Sequence, residues 1–378
     1  MSPERPRRLR VAIVVASLRI LGGQAVQAQR MLEGWRDDPD VEAWLVPINP
    51  IPPRPCDRLL QVKYVRTLVT QLCYWPLLMR ELRRADVVHV FSASYSSFLL
   101  APLPAIIVSR ALGKPVLLNY HSGEAPDHLR RSRLARAVLS RHVDLNVVPS
   151  VFLRDVFARF AIDAQVVSNT VDVGAFPYRQ RDLTRRPLRL LSTRNFEAHY
   201  NVHCVLRAFA IVQARYPDAC LTLVGSGSQE AGLRALATEL SLRNVTFAGR
   251  VPQDFVARYY ADADIYLQTP SIDNMPVSVL EAFASGLPVV STGVGGVPSL
   301  LTDGIHGLLA PDNDAQAVAE RVITLIERPA YARQLAANAN LTCAQYQWRA
   351  VRDAWLAAYR GVAARPHAAA RMEAQEPA

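Results

Sequence analysis

Apolar residues in the first half of the chain fall into short continuous runs that alternate with stretches of helical spacing. Runs of this length are typical of parallel strands that are buried on both faces, where no polar alternation is needed. Five such strands are predicted, at Val11–Ala16, Val41–Val46, Val87–Phe91, Pro115–Asn119 and Val143–Val148. Helices are predicted between them, notably over Gln24–Trp35, Leu129–Arg141 and Ser150–Phe160. Ser150 is well suited to cap the last of these helices.

The same alternation resumes after an Arg-rich polar segment, Pro177–Pro187, which we interpret as a hinge. Further strands are predicted at Leu188–Ser192, Cys220–Val224, Val245–Phe247, Asp264–Gln268 and Pro288–Ser291. The helices between and after them are predicted at Val202–Arg215, Gln229–Leu240, Pro252–Ala261, Val277–Ala284 and Ala315–Ile326. Two successive βα series predict an α/β protein with two Rossmann-like, doubly wound parallel sheets. Ligands of such sheets bind at the carboxyl ends of the strands, and a central cleft between the two domains is the expected site.

The predicted domains are residues 1–180 and 181–344, followed by a closing helix over 345–362. This helix places Trp348, Trp355 and Tyr359 on one face. The Ala-rich, aperiodic remainder, residues 363–378, is predicted to be a disordered tail.

Composition narrows the class of protein further. The chain has 378 residues, of which 50% are hydrophobic and 20% charged, which fits a soluble two-domain protein and excludes a mostly disordered chain. No apolar run approaches the ~20 residues that span a bilayer, and the first apolar run is too short for an export signal. The five cysteines include no C-x-x-C pair, which argues against a disulfide framework or a zinc site and favours a cytoplasmic location.

The net charge of +10 is concentrated in the first half of the chain. Residues 1–180 hold 24 Lys and Arg against 15 Asp and Glu, whereas the second half is nearly balanced. A basic domain prefers an anionic partner such as phospholipid, nucleic acid or an acidic substrate. Two basic segments, Asp57–Arg84 and Leu129–Arg141, could lie on an anionic membrane as amphipathic helices or could be solvated faces over a core.

Several polar or glycine residues stand where predicted strands end. They are the pair Gly22 and Gly23, then His121, Arg194, and the pair Gly225 and Gly227. Glycine at a βα turn lets backbone amides approach an anion, and an Arg side chain can fork onto phosphate oxygens. Each residue also has a common structural explanation, such as a tight turn or a surface side chain. The first glycine pair is not G-x-G-x-x-G, and no carboxylate ends the second strand, so a dinucleotide cofactor is disfavoured.

The segment after the predicted strand Asp264–Gln268 carries two carboxylates, Asp273 in a loop and Glu281 eight positions later on a helix. Carboxylates around a helix start can bind sugar and ribose hydroxyls in two directions. The alternative is a loop Asp and an exposed helical Glu, each of which is common.

The order and spacing of these motifs resemble those of the bacterial retaining glycosyltransferases of the GT-B fold, family four (glycosyl transferases group 1). The motifs that carry the resemblance are Val148-Pro149-Ser150, Asn169-Thr-Val-Asp172, Arg194, Gly225-x-Gly227, Phe247-Ala-Gly249, Asp273…Glu281 and Gly295-Gly296-Val-Pro298. The resemblance extends from the first glycine pair to about residue 360.

The resemblance implies a role for each candidate residue. Gly22 and Gly23 would approach the donor diphosphate or sugar, and His121 would contact the donor sugar and stabilise the reacting centre. Arg194 would neutralise the departing diphosphate. Asp273 would hold sugar hydroxyls, and Glu281 the ribose hydroxyls. Further implied donor contacts are His199, Gly225, Gly227, Arg250 and Val251 (beside the base), Asn274, Met275, Pro276, Val277 and Ser278.

Two positions depart from the family pattern. Asp273 stands where the family usually has Glu, and His199 stands where it usually has Lys. The string Arg194-Asn-Phe-Glu-Ala-His-Tyr-Asn-Val202 indicates membership of a subgroup. The family needs no metal as a rule and no cofactor beyond the nucleotide-sugar substrate. Two D-x-D strings, Asp262-Ala-Asp264 and Asp312-Asn-Asp314, are interpreted as chance matches, because neither is at a strand's carboxyl end.

The sequence therefore predicts a retaining, metal-independent glycosyltransferase with a nucleotide-sugar donor, UDP-sugar favoured. Its acceptor would be a glycan, a lipid-linked molecule or a small molecule, bound by the first domain, in cell-surface polysaccharide or glycolipid synthesis. The resemblance favours peripheral contact with the inner face of the membrane. The alternative is a catalytically weak GT-B scaffold that partners another transferase. A nucleic-acid-binding protein is disfavoured, because no recognisable binding module is present.

Overall fold

The computed structural model describes residues 7–17, 23–52 and 62–365. These divide into two compact units, one formed by residues up to 168 together with those from 351 onward, the other by residues 169–350. The divisions fall at 168/169 and 350/351, not at the expected 180/181 and 344/345. Most of the predicted tail, from residue 366 onward, lies outside the described residues.

The first unit is built on a six-stranded parallel sheet with the strand order β2-β1-β3-β4-β5-β6. The strands are β1 (Leu9–Val15), β2 (Val41–Pro47), β3 (Val87–Ser92), β4 (Val116–Tyr120), β5 (Leu145–Val148) and β6 (Gln165–Val166). Every residue of β3 and β4 is buried, which is why these strands appear as mainly apolar runs without a polar alternation. The parallel alternation that the sequence predicts for this half is confirmed, and β6 is a short addition to it.

Seven helices of the first unit precede the second unit in the described chain. They are α1 (Gly23–Trp35), α2 (Lys63–Leu82), α3 (Tyr95–Leu100), α4 (Pro102–Ala111), α5 (Ala125–Arg131), α6 (Arg133–Arg141) and α7 (Val151–Ala158). The single helix predicted over Leu129–Arg141 is wrong. Ser132 is extended and its hydroxyl accepts a hydrogen bond from the Ala135 amide at 3.0 Å, so a new helix begins after it. The Ser150 cap is confirmed, since its hydroxyl accepts from the Leu153 amide at 3.2 Å.

The second unit repeats the same architecture, with the strand order β12-β11-β10-β7-β8-β9 in a parallel sheet. The strands are β7 (Arg189–Ser192), β8 (Cys220–Val224), β9 (Val245–Gly249), β10 (Ile265–Leu267), β11 (Val289–Thr292) and β12 (Leu308–Ala310). The helices are α8 (Val202–Arg215), α9 (Glu230–Glu239), α10 (Gln253–Asp262), α11 (Val277–Ala284), α12 (Val297–Leu300), α13 (Ala315–Glu327) and α14 (Pro329–Thr342). The two sheets together confirm the predicted α/β class.

The segment Pro177–Pro187 is part of the second unit and is not a free hinge. The Arg181 side chain is only 5% exposed. Its guanidinium donates hydrogen bonds to the backbone carbonyls of Tyr260, Ala261 and Ser285, at 2.8–3.0 Å. These carbonyls lie at the ends of α10 and α11, where helices leave acceptors unsatisfied, so Arg181 ties the segment to the second unit.

A last helix, α15 (Trp348–Ala363), returns the chain to the first unit. Trp355 and Tyr359 are buried, whereas Trp348 is half-buried and precedes the residues assigned to the first unit. The Tyr359 hydroxyl lies 2.8 Å from Nδ1 of His89 in β3, and the Trp355 ring centroid lies 4.9 Å from that of His89. Arg352 binds the carboxylates of Asp38 and Asp40, each at 2.6 Å. The helix is therefore part of the core of the first unit.

None of the helices in the described ranges combines the length and the apolar character needed to span a lipid bilayer. Cys73, Cys204, Cys220 and Cys343 are free thiols, and Cys56 lies outside the described residues.

We predict that the protein loses stability as the pH falls from about 6.5, the ordinary histidine value, toward 4. Burial, with a smaller contribution from His121, lowers the pKa of His89 to about 3. Between these values the unfolded chain binds a proton that the folded chain does not, so acid favours unfolding. His89→Gln does not titrate at this position, and its free energy of unfolding should depend less steeply on pH. Denaturant titrations at a series of pH values would give the free energy of unfolding at each pH. The same dependence of this free energy on pH in wild type and His89→Gln would contradict the prediction.

Candidate active site

The predicted site residues of the second unit lie along the carboxyl edge of its sheet. Arg194 follows β7, Gly225 and Gly227 follow β8, Arg250 follows β9, and Asp273 follows β10. Because all of these strands are parallel, their carboxyl ends share one edge, and the loops that leave them converge.

Arg194 is enclosed by its neighbours, with 9% of its side chain exposed. Its Nη2 donates to Oδ2 of Asp273 at 2.7 Å, and its Nη1 donates to the Ser278 hydroxyl at 3.0 Å. The Tyr200 ring covers one face of the guanidinium at 4.0 Å, close enough for a cation–π contact. Burial is the largest single effect and opposes the charge of Arg194, but the Asp273 carboxylate, together with the nearby Tyr200, Tyr266 and Tyr260, holds the pKa of Arg194 above its ordinary value. The guanidinium is therefore a fixed positive charge.

One donor of Arg194 has no partner among the described residues. Its Nε is buried and makes no hydrogen bond. A buried charged donor without an acceptor is costly, and such groups in native proteins are usually completed by water, an ion or a ligand. An anionic ligand at the carboxyl edge would supply the missing acceptor.

Several residues that the sequence predicts to bind the donor substrate lie close together between Asp273 and Ser278, in a short loop and at the start of a helix. Asn274, Met275 and Pro276 are buried, and α11 begins at the next residue, Val277. The Met275 carbonyl already accepts a hydrogen bond from the Asn169 side chain at 3.1 Å. The first amides of a helix lack intrahelical acceptors, so the start of α11 is suited to bind a phosphate oxygen.

Glu281 lies one turn into α11 and is 6% exposed. The Tyr260 hydroxyl donates to its Oε2 at 3.0 Å, and the Gln253 amide donates to its Oε1 at 3.3 Å. The Tyr260 hydroxyl also lies 2.6 Å from the hydroxyl of Thr193, next to Arg194. Hydrogen bonds therefore link the carboxylate of Glu281 to the end of β7. Sequence reasoning missed Gln253 and Tyr260, because a polar and an aromatic residue on an amphipathic helix carry no distinctive signal.

Close packing within the second unit explains why glycines follow β8. A Cβ on Gly225 would lie 2.2 Å from the Arg194 carbonyl oxygen, and one on Gly227 would lie 2.4 Å from that of Phe196. Glu197 also joins the loops after β7 and β8. Its carboxylate accepts hydrogen bonds from the Ser228 amide at 3.2 Å and from the Ser228 hydroxyl at 2.6 Å. The glycines thus let the loops after β7 and β8 pack against each other.

His199 belongs to the same cluster as Arg194. Its ring centroid lies 4.1 Å from that of Tyr200, which in turn covers Arg194. The His199 carbonyl accepts from the Ser271 amide at 2.9 Å, which joins the loop after β7 to the loop that carries Asp273. Arg250 is exposed and Val251 is half-buried, at the end of β9.

The first unit carries His121 and Gly23, and Gly22 lies outside the described residues. His121 follows β4, and its ring stacks on that of Phe91 with centroids 5.1 Å apart. Its Nε2 is buried and has no hydrogen-bond partner among the described residues. Burial lowers the pKa of His121 to about 4, so the imidazole is neutral at physiological pH. Gly23 is exposed at the start of α1, and no atom would lie within 4 Å of a Cβ there.

Aspartates of both D-x-D strings make hydrogen bonds within the second unit. Asp264 accepts from the Arg189 amide at 2.9 Å, at the amino end of β7. Asp312 accepts from the Ser271 hydroxyl at 2.8 Å, and Asp314 caps α13. Within the described ranges, no group of three or more His, Cys, Asp or Glu residues is arranged to hold a metal ion.

Comparison with solved structures defines the class of fold. The crystal structure of Anabaena HepE, determined with UDP and glucose, matches with a TM-score of 0.73 at 17% identity, over 92% of this chain and 98% of that one. The fold is GT-B, the fold of two Rossmann-like domains found in many glycosyltransferases.

Two family descriptions cover most of the sequence. "Glycosyltransferase Family 4" matches residues 21–175, and "Glycosyl transferases group 1" matches residues 179–342. Together these two matches show that the chain belongs to glycosyltransferase family 4, whose second domain is described as glycosyl transferases group 1.

Curated relatives agree with this assignment. The amylovoran biosynthesis glycosyltransferase AmsK of Erwinia amylovora is 34% identical over 158 residues, which are 40% of this chain and 39% of that protein. Glycogen synthase of Mycobacterium tuberculosis is 27% identical over 297 residues, which are 74% of this chain and 70% of that protein.

If Glu281 binds ribose hydroxyls, as the family resemblance implies, Glu281→Gln should keep the fold and weaken the binding of a nucleoside diphosphate by about tenfold or more. A neutral amide accepts fewer and weaker hydrogen bonds from ribose hydroxyls than a carboxylate does, and bonds to charged groups contribute about 1.5–3 kcal/mol. Calorimetric titration with a nucleoside diphosphate would measure the loss. Glu239→Gln changes an exposed carboxylate at the end of α9 and is the matched control. Wild-type affinity in a folded Glu281→Gln protein would remove Glu281 from the site.

Proposed function

We propose that this protein is a retaining glycosyltransferase that transfers a sugar from a nucleoside diphosphate sugar, with UDP-sugar as the favoured donor. The observation that carries the proposal is the buried Arg194, a fixed positive charge whose Nε lacks an acceptor. An oxygen of a diphosphate fits this donor in charge and in hydrogen bonding.

The remaining donor contacts follow from the residues around Arg194. The first amides of α11 would bind phosphate oxygens, Glu281 the ribose hydroxyls, and Arg250 with Val251 the base. The choice of UDP is supported by HepE, whose structure contains UDP and glucose.

Arg194 would stabilise the negative charge that develops on the diphosphate as the bond to the sugar breaks. Such preorganised stabilisation is worth most in a site that excludes water, and it needs no metal ion. His121 would contact the sugar through its unpartnered Nε2, as a neutral group. Retention and metal independence are inferred from the family resemblance.

The acceptor is proposed to be a glycan or a lipid-linked molecule of cell-surface polysaccharide synthesis. The support is the name of AmsK, an amylovoran biosynthesis glycosyltransferase. The competing proposal, a catalytically weak scaffold, rests on His199, which replaces the usual Lys in the Arg194 cluster. A scaffold would bind a nucleotide sugar without transferring the sugar.

We also propose that the first unit contacts the cytoplasmic face of an anionic membrane, and that the contact surface is on α2. Val65, Leu68, Leu72 and Trp75 are exposed at helical spacing, so they form one apolar stripe. Leu68 and Leu72 are 63% and 66% exposed. The Gln71 side chain donates to the carbonyl of Leu100, at the end of α3, where Leu99 and Leu100 are also exposed. An apolar patch of this kind marks an interaction surface.

The basic segment Leu129–Arg141 is less suited to this role. Arg130 and Arg131 form ion pairs with Asp127, at 2.5 and 2.9 Å. Arg136 donates to the carbonyl of Leu129 at 2.6 Å. Much of its charge is thus engaged locally, whereas Arg66 and Arg83 are exposed on α2 and at its end.

The double variant Leu68→Gln, Leu72→Gln should lose most binding to vesicles that contain anionic lipid. The two leucine side chains would be buried in the membrane, and each Å² of apolar surface removed from water contributes about 25 cal/mol to binding. The glutamine side chains lose this contribution. Co-sedimentation over a salt series would measure it, and the remaining binding should weaken as salt rises. Leu134→Gln, at an exposed apolar residue on α6, is the control. A wild-type protein that ignores anionic vesicles at low salt would contradict membrane contact.

Sugar transfer is tested directly with a panel of UDP-, GDP- and ADP-sugars. Wild type should bind a nucleoside diphosphate and transfer its sugar, and Arg194→Ala should lower kcat/KM by about 10²-fold or more. Arg194→Lys should recover only part of the loss, because a single ammonium lacks the guanidinium fork. NMR of the product would show whether the anomeric configuration is retained. Binding without transfer would favour the scaffold, and kinetics unchanged in both variants would exclude Arg194 from the site.

A further inference from the structure

The backbone of His121 is fixed by hydrogen bonds, whereas its ring is not. The His121 amide donates to the Ser92 carbonyl at 3.3 Å, and the Gln24 side chain donates to the same carbonyl at 3.1 Å. The imidazole itself makes no hydrogen bond to any residue in the described ranges, and its Nε2 is buried without a partner. The direction of Nε2 therefore depends on what packs against the ring.

The neighbour that faces the imidazole is the ring of Phe91 in β3. The two centroids lie 5.1 Å apart, and the ring planes differ by 23°. The register of the sheet explains the contact, because Phe91 pairs with Asn119 in β4 and alternate residues of a strand lie on one face. His121 stands two residues after Asn119 and continues that face just past the end of β4. Phe91 is only 4% exposed, so it belongs to the core under the site.

Phe91 is held in turn by the next ring of the stack, His89. Their centroids lie 5.0 Å apart and their planes differ by only 2°. His89 is fixed by α15, since its Nδ1 lies 2.8 Å from the Tyr359 hydroxyl and its ring packs on that of Trp355. Buried rings in contact restrict each other's tilt, because protein cores are closely packed. A row of stacked rings thus leads from α15 to His121.

We infer that Phe91 is a positioning residue for His121, and that its stacked ring sets the plane of the imidazole and with it the direction of Nε2. The inference rests on the proposed function, because His121 must contact the transferred sugar for its orientation to matter. Phe91 should then affect the transfer step through His121, without affecting the nucleoside diphosphate, whose proposed contacts are in the second unit.

The test is Phe91→Leu, which keeps an apolar side chain and removes the planar ring. With the donor that wild type uses, we expect kcat to fall by about tenfold or more, since a small misplacement of a group at the reacting centre can cost about 10²-fold. The Kd of the nucleoside diphosphate, measured by calorimetry, should be unchanged. Phe91→Met fills the same space with a flexible chain and should give the same result if Phe91→Leu folds poorly.

A double variant separates positioning from a second, independent role. His121→Ala should lower kcat at least as much as Phe91→Leu does. Adding Phe91→Leu to His121→Ala should then lower kcat no further, because a residue that acts only through His121 has no effect once that side chain is gone.

Phe157→Leu is the matched control for the loss of a buried ring. Phe157 is fully buried in the first unit, and its ring packs edge-on against that of Tyr120 at 5.2 Å. Tyr120 follows Asn119, so its side chain lies on the opposite face of the sheet from the stack. Phe157→Leu and Phe91→Leu should both lower the melting temperature, but Phe157→Leu should keep the wild-type kcat.

The outcomes are distinct. A wild-type kcat in Phe91→Leu and Phe91→Met would overturn the inference, as would an equal loss of kcat in Phe157→Leu. A further loss in the double variant as large as that of Phe91→Leu alone would overturn it too, and so would a weakened Kd. An unchanged kcat in His121→Ala would remove His121 from the site and the inference with it. A wild-type protein that transfers no sugar would instead overturn the proposed function.

Discussion

The buried ion pair between Arg194 and Asp273 sets the conditions for the rest of the site. Two charges that are removed from water must be paired and hydrogen-bonded, or the unit that buries them is destabilised. The loops after β7 and β10 bring the two side chains together, and the loop after β11 fixes the backbone of one partner. Tyr200 and Ser278 complete the shell around the guanidinium. The carboxyl edge is thus organised around one positive charge before any substrate binds.

The same pair explains why the loops at this edge need glycine. Gly225 and Gly227 stand against backbone carbonyls of the loop that carries Arg194, and Gly295 and Gly296 stand against the loop that carries Asp273. From the sequence, Gly225 and Gly227 suit close approach of a nucleotide. In the structure, all four glycines have protein backbone as their close neighbour. A glycine-rich loop can therefore serve a binding site indirectly, through the shape of the loops around it.

Much of this could be predicted from the sequence, because parallel strands that are buried on both faces leave a clear apolar signal. The bounds of α8 and α11 match their predictions, and the placement of Arg194 and Asp273 at one edge follows from the topology of parallel sheets. The break at Ser132 was missed, since the apolar spacing continues through it. The role of Arg181 was missed because its partners are backbone carbonyls some 80 and 104 positions away. Tyr260 and Gln253 could not be found for a similar reason, since their link to Glu281 exists only in the folded unit.

The return of α15 to the first unit has a consequence for the order in which the protein can be made. Trp35 and His89 pack against Tyr359, and Asp38 and Asp40 bind Arg352, so the first unit is completed by residues more than 260 positions further along the chain. On the ribosome, the whole of the second unit is synthesised before these partners emerge. Until then, the surface that will receive Trp355 and Tyr359 remains uncovered. Nascent chains thus carry an unfinished first unit for most of their synthesis, which is the period when a chaperone would find an apolar surface to bind.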